Sequence, residues 1–176
     1  MVRTLTVRDW GGAAVDTESF PRLPAVGIVL CPAPAAPRFH LPGTPLLLAQ
    51  TPRSIQAGDL AQRYVDSRHH FHVSREGAVA EGRTGSAAAA AGGRVILSTY
   101  AGAGKGDVAV GCWCVLLAAP CLVSALPEAH EAALVMLLRW LLARAGLRAV
   151  DVRVGSRLLW GWGAARLRAL RRAVEE

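Results

Sequence analysis

The sequence predicts an α/β protein: a single domain, residues 1–176, with a central mixed β-sheet flanked by helices. Short apolar runs alternate with longer helical segments and are separated by Gly, Pro and Asp turns. The chain has 176 residues, 52% hydrophobic and 19% charged, enough for one sizeable core and too few for two. A chain this apolar buries enough surface to offset its ordering entropy, which excludes disorder.

Taken in order, apolar runs at Leu5–Val7, Val26–Cys31, Phe71–Val73, Val95–Leu97, Val108–Leu117 and Val150–Val154 read as strands. A short helix over Asp59–Val65 precedes the histidine-rich strand. The clearest helix starts at Pro127, carries Glu128 and Glu131 near its positive end and stops at Gly146. It is apolar nearly all round, so it should lie buried on the sheet. A last helix, Ala164–Val174, puts Leu167, Leu170 and Val174 on one face, with Arg166, Arg168, Arg171 and Arg172 around the rest. The Ala/Gly run Ser86–Gly93 reads as a loose loop, and the Pro-rich Cys31–Thr51 as a long surface loop.

Twenty basic residues against thirteen acidic give a net charge of +7. Such a balance ordinarily raises nucleic acid as a partner. Here nineteen of the twenty basic residues are Arg, Lys105 alone is Lys, and Asn is absent. That is the imprint of a G+C-rich coding sequence, so a nucleic-acid partner is not favoured. From Val108 to Pro127 twenty residues carry no charge, long enough to cross a bilayer. Pro120 and the Val/Cys/Trp-rich first half instead favour a buried strand, so no membrane span is expected. The four cysteines, Cys31, Cys112, Cys114 and Cys121, show no CxxC spacing. No apolar core of signal-peptide length follows Met1. Both observations lead to the expectation of a cytoplasmic, reducing setting.

The segment from Asp66 to Arg83 resembles the core signature of peptidoglycan recognition proteins and type-2 N-acetylmuramoyl-L-alanine amidases. Asp66, Phe71, Val73, Gly77, Val79, Glu81, Gly82 and Arg83 match that signature in register, a strand, a Glu76-Gly77 turn and a returning strand. Further landmarks follow in the family's order. Arg8-Asp9-Trp10-Gly11-Gly12-Ala13 resembles the N-terminal Trp-Gly-Ala motif, and Ile55-Gln56 the Ile-Gln before the first helix. Ala109-Val110-Gly111-Cys112 is similar to the central-strand motif, and Gly155-Ser156-Arg157 to a Gly-His-Arg after the last strand.

The resemblance implies a Zn²⁺ held by two His and a third His or Cys, with metal-bound water attacking the lactyl-amide bond. Carried over position by position, the first ligand falls on Cys31, the second on Ala101 and the third on Gly161; the His of Gly-His-Arg becomes Ser156. The family's catalytic Tyr falls on His69. One potential ligand does not hold zinc, so neither a metal nor another cofactor is expected. Relatives also carry a disulfide in the loop after the first ligand, and Cys31–Thr51 contains no second Cys.

These losses give the expectation of a catalytically inactive, peptidoglycan-recognition-like pseudoenzyme. It would act by binding, as an intracellular immune modulator or decoy with residual muropeptide binding. Its partner would be a peptidoglycan fragment or a protein of innate immune signalling. The candidate binding residues are His69, Arg83, Arg157, Trp160 and Trp162, around the old cleft. The alternative is a hydrolase with a relocated metal site among Cys31, His69, His70 and His72, or with a Cys31/His69 nucleophile pair. Strand alternation places His70 and His72 on one face and His69 with Phe71 on the other, which opposes convergence. Cys112 and Cys114 read as core, as do Trp10, Trp113 and Trp140.

Overall fold

A computed structural model describes residues 4–18, 20–32, 51–97, 110–117 and 126–176; within the last range, the side chains of residues 156–163 are not described. Six strands form the main sheet: β1 (Thr4–Leu5), β3 (Gly27–Pro32), β4 (Phe71–Val73), β5 (Val79–Glu81), β7 (Cys112–Leu117) and β8 (Val152–Val154). Their order is β1-β5-β4-β7-β3-β8. The sheet is mixed: β4, β7, β3 and β8 run parallel, and β5 returns antiparallel to β4 through the Glu76-Gly77 turn. Gly77 takes φ +86° there, and a Cβ would stand 2.6 Å from the carbonyl of Ala129, so glycine is required on both counts. Outside the main sheet, β2 (Arg22–Pro24) and β6 (Arg94–Ile96) form a two-stranded ribbon.

Among the described residues four α-helices accompany the sheets: α1 (Pro52–Ala61), α2 (Ser86–Ala91), α3 (Glu128–Ala145) and α4 (Ser156–Glu175). The helix expected over Asp59–Val65 is instead α1, which starts earlier because Thr51 caps it, its hydroxyl accepting the Ser54 N–H, with Pro52 in the first turn. The Ser86–Gly93 run is a helix rather than a loose loop, since alanine has the highest helix propensity and Gly92 and Gly93 lie only at its end. α4 starts eight residues before Ala164, through a stretch whose two glycines argue against a helix from sequence. α3 begins and ends as its caps predict, with Pro127 before it and Gly146 at φ +64° after it.

Burial follows register. Leu30, Val115 and Phe71 lie level on adjacent strands, point to one face and pack under α3, where the rings of Phe71 and Trp140 meet edge to face at 6.2 Å. Trp113 is fully buried in the same cluster. The outer edge of β8 is covered by α4: Arg171 donates to the carbonyls of Val152 at 2.6 Å and Val150 at 3.0 Å, closing backbone acceptors that would otherwise invite strand pairing.

The uncharged stretch from Val108 contributes β7 between β3 and β4, at the centre of the sheet. The strand begins at Cys112, so Val110 lies outside it on a turn and is 70% exposed rather than buried. Among the described residues no helix is long and apolar enough to cross a membrane.

Candidate functional site

The face of the sheet away from α3 carries a different set of side chains. Cys31 on β3, Leu116 on β7 and His72 on β4 are level and share this face. Cys31 and Cys114 are half-buried, while Leu116 and His72 are buried. Among the described residues no disulfide joins Cys31, Cys112 or Cys114. Cys112 is buried as expected, and burial pushes its thiol up; Cys114 is only half-buried. Trp10 is also only half-buried, its indole N–H donating to the Glu81 carbonyl at 2.8 Å.

The signature segment supplies the floor next to this face, and its polar groups are turned inward. Asp66 is 4% exposed and accepts from Gln56 Nε2 and Ser67 N, both at 2.7 Å, and from Thr84 N at 2.8 Å. Gln56 in turn pairs with both backbone groups of Ala13 at 2.9 Å, tying α1 to the N-terminal segment. Glu81 accepts the N–H of Ala87 at 2.8 Å, and burial pushes its carboxyl up against that bond. These residues carry the resemblance in sequence, and each holds backbone of a different element.

Arg83 corrects the expectation of a rim residue. It is 2% exposed and donates to three carbonyls: Ile96 at 2.6 Å, Arg68 at 2.9 Å and Ser67 at 3.0 Å. A guanidinium buried this deeply joins the hairpin to β6 and is not available to a ligand.

The histidines divide by role. His70 Nδ1 accepts the Cys114 N–H at 2.9 Å, which fixes the proton on Nε2, directed at the Ile96 carbonyl at 2.9 Å. The ring is thus a neutral clip between β4, β6 and β7, and burial, followed by the Arg83 charge, holds its pKa well below the usual value. His72 is 2% exposed, with Nε2 3.4 Å from Ser67 Oγ and no hydrogen-bond partner for Nδ1 among the described residues. Burial, with the neighbouring His69, lowers its pKa to about 3.

His69 meets His72 edge to face at 5.9 Å, so the expected separation of these two rings onto opposite faces is corrected. Regular strand geometry begins only at Phe71, and alternation does not extend back to His69. Gly82 makes the approach possible, since a Cβ there would stand 2.5 Å from both the His69 carbonyl and His72 Nε2.

A Cys31/His69 pair requires adjacent strands, and β7 lies between β3 and β4. Among the described residues no three His, Cys, Asp or Glu side chains are grouped as a metal site. Of the four carried-over ligand positions, Cys31 alone offers a donor on this face. Ala101 lies outside the described residues, as does the side chain of Ser156, which opens α4. Alanine at 101 and glycine at 161 bring no ligating group, so this donor set does not fit zinc. Arg157, Trp160, Gly161 and Trp162 lie in the first turns of α4, and their side chains are not described.

Sequence reasoning missed Asp59. It is 1% exposed and accepts from the Arg68 side chain at 2.7 Å and the Arg68 N–H at 2.9 Å. Arg68 also lies over the Tyr64 ring at 4.9 Å. Nothing periodic marks a carboxylate that closes a chain reversal nine residues ahead.

No family model matches the chain, and no curated protein matches it. Solved structures do. A peptidoglycan recognition protein, PGRP-Hd from Alvinella pompejana, superposes with a TM-score of 0.63 at 17% identity, over 97% of this chain and 95% of that one. The ectodomain complex of peptidoglycan recognition proteins LCa and LCx bound to tracheal cytotoxin gives 0.55 at 16% identity, over 88% and 84%. N-acetylmuramoyl-L-alanine amidase LysC from Clostridium intestinale gives 0.55 at 10% identity, over 96% and 97%. The chain has the fold of peptidoglycan recognition proteins and N-acetylmuramoyl-L-alanine amidases.

Proposed function

We propose that this chain is a binding protein for peptidoglycan fragments that does not cleave them, and that it works in a reducing compartment as a modulator or decoy in innate immune signalling. The observation that carries the reading is the contrast within one fold: the signature residues Asp66, Glu81 and Arg83 keep buried partners, whereas the carried-over ligand positions are Cys31, Ala101, Ser156 and Gly161. A fold held together while its donor set is lost favours binding over hydrolysis. Tracheal cytotoxin stands in complex with neighbours of this fold, which supports a muropeptide as ligand. The stretch Cys31–Thr51, where the resemblance implies a disulfide, contains no second Cys, which supports a reducing setting.

The test is calorimetry with tracheal cytotoxin, alongside a peptide-release assay on muropeptides with and without added Zn²⁺. The expected result is saturable binding without release, and at least tenfold weaker binding when Trp160 and Trp162 are both changed to Ala, since buried indoles supply much of the contact energy at such sites. Arg168→Ala should leave binding unchanged. Zinc-dependent release that a chelator abolishes would overturn the inactive reading, and the absence of saturable binding would overturn the ligand.

A further inference from the structure

The opposite end of the sheet carries a feature that muropeptide binding does not use. Of six large hydrophobic side chains exposed among the described residues, three stand together here: Val26 at 57%, Val110 at 70% and Val150 at 52%. They come from three neighbouring strands. Val26 precedes β3 and Val110 precedes β7, and the Val26 N–H donates to the Gly111 carbonyl at 2.9 Å. Val150 precedes β8, whose Val152 is level with Ile28, and a Cβ on Gly27 would lie 3.1 Å from the Asp151 carbonyl.

Around them stand exposed arginines. Arg148 precedes the short turn that holds Val150, and Arg153 lies on β8. Arg22 and Arg94 lie on the β2/β6 ribbon, which is bonded to this end through Ala25 N and the Gly93 carbonyl at 3.0 Å. None of the four makes an ion pair among the described residues, and Asp151 is turned onto the Arg148 N–H at 2.9 Å.

We propose that this valine-centred, arginine-rimmed end is a docking surface for an acidic segment of a partner protein. An apolar centre inside a charged rim is the anatomy of a protein interface. The sign of the rim selects the partner: a second copy would set arginine against arginine, a juxtaposition that costs affinity. Short valines are poor anchors for a lipid surface, where Trp, Phe and Leu do the insertion. The end lies about 16 Å from Cys31, five residues along β3, so ligand and partner can be held together.

The test uses the full chain, isotope-labelled for NMR, titrated with a synthetic peptide of alternating leucine and glutamate. Its lysine-for-glutamate counterpart and phosphatidylglycerol vesicles serve as comparisons. Amide shifts should centre on Val26, Val110, Gly111 and Val150–Arg153, and only for the acidic peptide. Val26→Asp with Val150→Asp, and separately Arg94→Glu with Arg153→Glu, should each weaken binding at least tenfold, whereas Arg168→Ala with Arg172→Ala should not change it. Shifts centred elsewhere, equal binding of the lysine peptide, or tighter binding to the vesicles lost in the same variants would each overturn the proposal.

Discussion

The two faces of the central sheet are built on different principles. Under α3, Leu30, Phe71, Trp113 and Val115 form an apolar layer in which shape and hydrophobicity suffice. On the other face and in the hairpin beside it, a buried arginine, two carboxylates and His70 are held by named hydrogen bonds, with His69 and His72 packed beside them. The first face tolerates exchange among apolar residues of similar volume. The second does not, because a removed partner leaves a buried polar group without a substitute for water. A polar network of this kind stays recognisable in sequence for reasons of folding alone, so its presence reports the fold and is silent about turnover.

The sharpest way to break the comparison is a charge under α3. Leu134 is fully buried, and Leu134→Asp should cost more than about 4 kcal/mol and leave no folded protein by circular dichroism. Arg83→Met comes next. It keeps most of the side-chain volume but orphans the carbonyls of Ser67 and Arg68 and removes one of the two donors to Ile96, whose other donor is His70, for an expected loss of about 2–5 kcal/mol in urea unfolding. If Arg83→Met unfolded at the same urea concentration as the wild type, the hairpin network would be dispensable and the two faces alike.

Acid separates the faces without a mutation. His70 and His72 on the polar side have folded pKa values below 6.5, chiefly through burial, with His72 at about 3, and His130 on α3 is lowered as well. As pH falls below 6.5 the unfolded chain takes up protons that the folded chain refuses, so stability is lost on acidification. His72 alone accounts for about 3 kcal/mol between pH 6.5 and pH 4. Glu81 opposes the trend, since its raised pKa lets the folded state take up a proton first, but it is one group against three. Urea midpoints should therefore fall steadily from pH 7 to pH 4, and His72→Leu should flatten part of the slope. A flat profile over that range would contradict the buried neutral imidazoles.

How much could be read from the sequence differs between the same regions. Caps and periodicity gave α3 almost to the residue, because Pro127 and Gly146 act locally. The in-register matches from Asp66 to Arg83 pointed to the hairpin and its fold. Their burial could not be seen, since an Arg at the end of a hairpin reads the same whether it meets solvent or three carbonyls. The contact of His69 with His72 depended on where regular strand begins, which alternation does not mark. Strand order places β7 between β3 and β4, so Cys31 and the histidine-rich strand are not neighbours, and nothing in the sequence indicated it.

The smallest effect tests a boundary. An uncharged run through Val108–Leu117 makes Val110 look like core, and Val110→Asp would then unfold the protein. In the structure Gly111 turns the chain at φ +85° just before β7, and Val110 is left 70% exposed. Val110→Asp should thus change stability by no more than about 0.5 kcal/mol. The neighbouring Gly111→Ala should cost about 1 kcal/mol, because an L side chain is strained at that φ and its Cβ would stand 3.2 Å from Val26 Cγ2. Paired thermal melts of the two variants distinguish the cases. A larger loss for the aspartate would put the strand start back at Val108, and a larger loss for the alanine means that backbone geometry at Gly111, rather than hydrophobicity at Val110, sets where the central strand begins.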